Sequence, residues 1–443
     1  GMKMLQETHY NEILEFLRSY SLLRVMSVAA LVLALGATVI VVGSGGMDRA
    51  SPLSTVRSLL LMAIWGFVTV YMFKPRHGLL VRTGLMLLYQ TVKDYVAQNN
   101  RYASQQQQRL ATLHVKALHT IAQPHTILLV IGESASRDFM SAFTPMAEDT
   151  TPWMRQLADD RRHCLLFHQA YSCDIQTVPT LEKALTEYNQ YIAGGAFYTS
   201  ASIVDIAHRL GYRVHWYSNQ GHLGAADTPI TLVANTADVA KWTRQELGRP
   251  QYDETLLDFL DEVDPDGRNM VVLHLKGSHF NYENRFTEDT RQWGNPRCHD
   301  QITNYKNTIY YTDHVLHRVF DTMRRRLNLQ AMVYCSDHAD VPDRHRQPNF
   351  GGYRDLRIPL MVWMGDQYLD AHPQRAQALR HNSKRCWTND LLYELVCGLL
   401  DVESDHFRED CSLASPLYRF RREDLTAMDG KIELRNERGD AIH

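Results

Sequence analysis

Seven cysteines are scattered through the chain and no two stand in CxxC spacing, which argues against a cysteine-based zinc site. The odd count leaves at least one free or paired between chains. Charge of one sign is also missing: the formal net charge is −3 and charged residues are 22%. With no basic excess and no C2H2 or other nucleic-acid signature, nothing points to nucleic acid as a partner. A clean small-x-small cleavage site followed by a soluble domain is absent too, which argues against a signal peptide. Gly1 ahead of Met2 reads as the remnant of a removed tag.

What is present is an ordinary globular composition, 44% hydrophobic over 443 residues. That is enough for a large core and more than one structural region. Residues 25–42, "VMSVAALVLALGATVIVV", carry no charge, and the uncharged stretch continues through 43–47. This length suits a membrane-spanning helix. A second apolar stretch at 58–73, flanked by Arg57 and Lys74, is short of the roughly 20 residues a span prefers. Both also read as buried core helices. Residues 79–96 have helical apolar spacing with Arg82, Lys93 and Asp94 on another face, the pattern of an amphipathic helix at a membrane interface. "NNRYASQQQQRL" comes next, as a solvated linker or exposed helix. From Thr126 onward, strand-like apolar runs alternate with helical patterns, which predicts an α/β domain.

Five runs end in polar residues. "TILLVIGESAS" gives Glu133 and Ser134, "YRVHWYSNQGH" gives Ser218, Asn219, Gln220 and His222, and "MVVLHLKGSHF" gives Lys276, Ser278 and His279. "AMVYCSDHAD" gives Asp337 and His338, and "RIPLMVWMGD" closes with Gly365 and Asp366. Ligands of open α/β sheets bind outside the carboxyl ends of the strands. Singly, Glu133 and Asp337 also read as carboxylates at helix N-termini, and His279 as a hydrogen-bonded histidine. Together, four of the five runs bring metal-type or phosphate-type side chains to one rim. Oxygen and nitrogen donors without thiolate suit catalytic zinc, or manganese or magnesium. In "SCDIQTVPTLEKALTE", Thr177 and Thr180 precede a helix expected from Leu181. Thr180 reads as its N-cap. Thr177 reads as a nucleophile held near a phosphate.

The motifs "ILLVIGESASRDFMSAF", "SCDIQT", "YSNQG", "HLKGSHFNYENRF", "YKNTIYYTDHVL", "VYCSDHADVPDRH" and "RIPLMVW" occur in the order seen in bacterial phosphoethanolamine transferases. The chain resembles that family, within the alkaline phosphatase and sulfatase superfamily, from roughly Gln123 onward. The resemblance implies an alkaline phosphatase-like α/β domain, with a central mostly parallel sheet flanked by helices and preceded by N-terminal membrane helices. It implies metal ligands at Glu133, Thr177, Asp337 and His338, with one or two zinc ions. It implies Thr177 as nucleophile, His279 and His345 as catalytic and substrate-binding histidines, and Asn219 as a substrate contact. The implied activity moves phosphoethanolamine from phosphatidylethanolamine to a lipid or glycan acceptor of the cell envelope. Lipid A, lipopolysaccharide core and periplasmic glucan are all open as acceptors. The implied location is the bacterial inner membrane, with the catalytic domain in the periplasm.

The sequence departs from the family at several points. Cys173 lacks the cysteine partner usual near the nucleophile, "SDHAD" stands for the usual "SDHGE", and fewer spans are readable than members carry. The expected organisation is a membrane region at 1–75, partial relative to the family, an amphipathic helix and linker at 76–122, and a catalytic domain at 123–443. The alternatives are a phosphodiesterase or sulfatase-like hydrolase of the same superfamily, and an inactive membrane-anchored binding protein. No C/S-x-P-x-R sulfatase motif occurs, and every ligand position is filled.

Overall fold

The computed structural model describes Gly66 and residues 85–192, 194–221, 228–243, 250–344 and 350–437. The expected spans at 25–42 and 58–73 (Gly66 apart), the start of the amphipathic stretch at 79–84, and His345 lie outside these described residues. Among the described residues, no helix is long and apolar enough to cross a membrane. Residues 99–244 and 249–443 form one compact unit, which carries the sheet. Residues 1–98 with 245–248 form another, of which Gly66 and 85–98 are described.

The apolar runs become the strands of one seven-stranded sheet. They are β1 (His125–Gly132), β2 (Cys164–Leu166), β3 (Arg213–Ser218), β4 (Val239–Trp242), β5 (Arg268–His274), β6 (Leu329–Ser336) and β7 (Leu360–Met364). Their order is β2-β7-β6-β1-β5-β3-β4. β1 and β6 are buried at every position, which is why they read as uninterrupted hydrophobic runs rather than as alternating ones. From β6 to β4 the neighbours are parallel, while β7 runs antiparallel to both β6 and β2. The sheet is therefore mixed, with helices on both faces.

The helices include α1 (Leu85–Thr112), α2 (Thr177–Ala184), α3 (Gln301–Arg326) and α4 (Leu392–Leu399). Ile127, Leu129 and Ile131 of β1 share a core with Leu392, Leu395 and Val396 of α4. The alternate residues Leu128 and Val130 share the opposite core with Tyr305, Ile309, Leu316 and Val319 of α3. This is the period-two division expected of a strand covered on both sides. Asp300 starts α3 by accepting from the Thr303 amide at 2.8 Å, and three arginines close its last turn, matching the helix dipole at both ends.

The polar run at 99–110 is the second half of α1. It docks one face: Tyr102 is buried against Phe197 with ring centroids 5.4 Å apart, and Gln106 donates to Asp205 at 2.9 Å. All seven cysteines are free; six are buried, Cys173 among them, and Cys298 is half-buried.

Register brings the site together. Ile131 of β1 lies beside His274 of β5 and Cys335 of β6, and Gly132 beside Ser336. Glu133, Lys276 and Asp337 therefore leave the sheet at one rim. Because β7 is antiparallel, Gly365 and Asp366 leave at the opposite rim, where Asp366 meets His163 at 3.1 Å and Arg162 at 3.5 Å.

Candidate active site

Neither carboxylate at the rim caps an α-helix. Glu133 is followed by a turn in which Ser134 takes a left-handed backbone (φ 56°), and the next short 3-10 turn is capped by Ser136. The Ser134 amide donates to Asp337 Oδ1 at 2.9 Å, and the His338 amide donates to the same oxygen at 2.6 Å. Asp337 Oδ1 is thus fully engaged. Its Oδ2 is buried without a hydrogen-bond partner, which costs about 1–3 kcal/mol or more unless a ligand satisfies it.

His338 completes the group. Its Nδ1 lies 2.9 Å from the Ala339 carbonyl. A carbonyl only accepts, so Nδ1 carries a proton, and in the neutral ring the lone pair is on Nε2. That Nε2 is 3.4 Å from Asp337 Oδ2 and 3.6 Å from Glu133 Oε1. Glu133, Asp337 and His338, all buried, each present a ligand atom within 4.8 Å of the others. An orphaned carboxylate oxygen, a second carboxylate and a lone pair converging in this way fit a divalent ion such as zinc.

Thr177 is the first residue of α2, and Gln176 precedes it in an extended conformation. The helix begins four residues before the position expected from sequence, because Pro179 sits in the first turn, where a missing N–H costs nothing. Thr180 is therefore inside the helix and is not its cap. Its buried hydroxyl lies 3.4 Å from the Asp174 carbonyl and 3.4 Å from Ser172 Oγ. Thr177 Oγ1 points at the rim, 3.3 Å from Glu133 Oε2 and 3.5 Å from His338 Nε2. Two contacts hold its loop against β6: Ser172 Oγ donates to the Asp337 carbonyl at 2.7 Å, and Asn389 joins the Cys173 amide (2.8 Å) to the same carbonyl (2.6 Å).

Of the other expected residues, His279 is half-buried in the turn after β5, its ring 5.2 Å from that of Phe280, and it is not one of the three clustered ligands. Asn219 is buried, and its amide donates to Asp253 Oδ1 at 2.8 Å and to the Gln251 carbonyl at 3.2 Å. Its neighbour Gln220 instead reaches the cluster, donating from Nε2 to Glu133 Oε2 at 3.2 Å.

Asp253, which no sequence pattern marked, holds the rim from beneath. Besides Asn219 it accepts the Lys276 amide at 2.7 Å and the Gly277 amide at 2.8 Å. Burial pushes its carboxyl above the usual range. Gly277 has φ 50°, and a Cβ there would lie 2.8 Å from the Glu133 carbonyl oxygen, so only glycine allows this approach. His274, buried at the end of β5, has its imidazole lowered to about 4 by burial and stays neutral.

The sulfatase family model matches residues 125–396, which contain the whole clustered triad and Thr177. The chain belongs to the sulfatase family. Among curated relatives of this sulfatase-family chain is the Kdo(2)-lipid A phosphoethanolamine 7''-transferase of Escherichia coli (strain K12), 29% identical over 311 residues. That match covers 63% of this chain and 52% of the relative, so the chain spans about half the length of the curated relatives it matches. The fold is similar to that of the C-terminal periplasmic domain of EcEptC from Escherichia coli in complex with Zn. There the TM-score is 0.64 at 23% identity, over 73% of this chain and 96% of that one. The integral membrane lipooligosaccharide phosphoethanolamine transferase A from Neisseria meningitidis aligns with a TM-score of 0.57 at 18% identity, over 83% of this chain and 74% of that one.

Proposed function

We propose that this protein is a metal-dependent phosphoethanolamine transferase of the bacterial inner membrane, working on its periplasmic side. It takes phosphoethanolamine from phosphatidylethanolamine and passes it to a cell-envelope lipid or glycan. The observation that carries the reading is the Thr177 hydroxyl standing 3.3 Å from Glu133 and 3.5 Å from His338, at the head of a helix. The phosphoethanolamine transferases among its relatives, and the zinc in the EcEptC domain, support the same chemistry.

Glu133, Asp337, His338 and Thr177 would hold one or two zinc ions, which when bound polarise a phosphoryl oxygen and lower the pKa of the hydroxyl. Thr177 Oγ forms a bond to phosphorus as a base at the rim takes its proton, the bond to the diacylglycerol oxygen breaks, and that proton is returned to the leaving oxygen. Diacylglycerol leaves with a proton. An acceptor oxygen then attacks the phosphorus of phosphoethanolamine-Thr177, releasing the threonine hydroxyl. The first N–H groups of α2 and the donors at the rim stabilise the charge that develops on the phosphoryl oxygens. His279 and His345 serve as acid and base, or bind those oxygens.

Mass spectrometry of the protein after incubation with phosphatidylethanolamine vesicles tests this. The expected result is a phosphoethanolamine adduct on Thr177. Turnover of the lipid with no adduct on any residue would refute the covalent route, and an adduct on another residue would reassign the nucleophile.

A further inference from the structure

Lys276 lies two residues past the end of β5 and sits on the same rim as Glu133. Its backbone is fixed by Asp253 through the Lys276 and Gly277 amides, and the tight turn at Gly277 presses this segment onto Glu133, with the Ser278 amide donating to the Glu133 carbonyl at 2.9 Å. The side chain therefore starts beside the metal-type carboxylate. Lys276 is half-buried, and its Nζ donates to Gln220 Oε1 at 3.3 Å. Gln220 in turn donates from Nε2 to Glu133 Oε2 at 3.2 Å and to the Leu275 carbonyl at 2.7 Å. Only this orientation of the amide puts its acceptor toward the ammonium and its donors toward the two oxygens. The chain Lys276–Gln220–Glu133 ends on the same carboxylate oxygen that receives Thr177.

The ammonium has three donors. Among the described residues its partner is one neutral amide oxygen at a long distance, and no carboxylate pairs with it. A half-buried cation in that state has donors to spare. The charges at the site give them a use. Glu133 and Asp337 together balance a divalent ion, so a phosphodiester reaching Thr177 brings a negative charge that those groups leave uncompensated.

We propose that Lys276 binds an anionic phosphoryl oxygen of the substrate at this rim while Gln220 keeps it aligned with Glu133. The inference rests on the proposed transferase activity and adds a second cationic contact to it. The shared chemistry is a phosphoryl oxygen, whether on the lipid donor or on a phosphorylated acceptor.

Inorganic phosphate is the probe. Its binding to zinc-loaded full-length protein is measured by calorimetry for wild type, K276M and K276R, with zinc content determined for each. The expected result is phosphate binding about tenfold to hundredfold weaker in K276M, recovery in K276R, and equal zinc in all three. Equal phosphate binding in wild type and K276M, or no binding to wild type, overturns the proposal. Loss of zinc from K276M overturns it too, because Lys276 would then act on the metal ligands instead. Wild-type protein that takes up no zinc refutes the transferase reading separately, and the phosphate comparison is still read on that protein. To separate the sources, KM for phosphatidylethanolamine and for a phosphorylated acceptor are measured in K276M: the substrate whose KM rises is the one held.

Discussion

Replacing Thr177 and Thr180 by alanine, one at a time, separates chemistry from architecture at the head of α2. Thr177 spans the rim, and its hydroxyl makes two long contacts, 3.3 and 3.5 Å. Losing contacts of that length costs well under about 1 kcal/mol of stability, and alanine is the better helix former by a few tenths of a kcal/mol. Thr177→Ala should therefore melt within a degree or two of wild type and keep most of its metal through Glu133, Asp337 and His338, while transfer falls by orders of magnitude because the attacking oxygen is gone. Thr180 is fully buried. Thr180→Ala removes one buried methyl, worth about 0.8 kcal/mol, and a hydroxyl whose two contacts are 3.4 Å each. Ser172 keeps its bond to the Asp337 carbonyl at 2.7 Å, so the loop stays in register. The expected loss is about 1–2 kcal/mol of stability with most activity kept. The assay is release of labelled diacylglycerol, alongside thermal melts and zinc content. An inactive Thr180→Ala beside an active Thr177→Ala would place the nucleophile elsewhere, and two active variants would refute covalent catalysis through either threonine.

Two buried carboxylates give further expected outcomes. Asp337→Asn should abolish the zinc-induced rise in melting temperature while leaving the metal-free protein as stable as wild type or more so, since it removes one of two charges held within 4.8 Å; a metal-free variant that melts well below wild type would show that the carboxylate is structural. Glu394 lies in α4 with Oε1 buried and unpartnered, and burial pushes its carboxyl up to about 8. The folded state therefore holds a proton that the unfolded chain releases near the ordinary glutamate value. This contribution is complete below that value and is lost as pH rises toward about 8, so Glu394→Gln should flatten the decline in stability across that window, and an unchanged slope in urea melts would refute the assignment.

Much of the rim was legible because strands covered on both faces leave long apolar runs, and such a run ends where its polar residues begin. "TILLVIGE" and "AMVYCSDH" marked β1, β6, Glu133, Asp337 and His338 in this way. Strand direction left no such trace. The run 360–364 is as apolar as the others, yet β7 is antiparallel and its end faces away from the site. Asp253 and Asn389 were not singled out, and Gln220 was marked only as part of a strand end, because their roles are hydrogen bonds to loops distant in the chain and no local pattern records such a partner. The start of α2 was misplaced for a local reason: proline reads as a helix boundary, although the first turn tolerates it. Asn219 and Gln220 are adjacent on one strand end, and alternation along the chain sends one to Asp253 and the other to Glu133.

The register that aligns β1 with β6 also sets when the site can exist during synthesis. Ser134 and its acceptor Asp337 are 203 residues apart, and β1 must wait for both β5 and β6 before its flanks are filled. Contacts this distant form late, because the loop between them must close first. A nascent chain that has made only β1 presents Glu133 with no second ligand, so metal cannot act as a seed for folding. It could only reward a sheet whose central ladders have already closed, so any metal would load after β6 has joined β1.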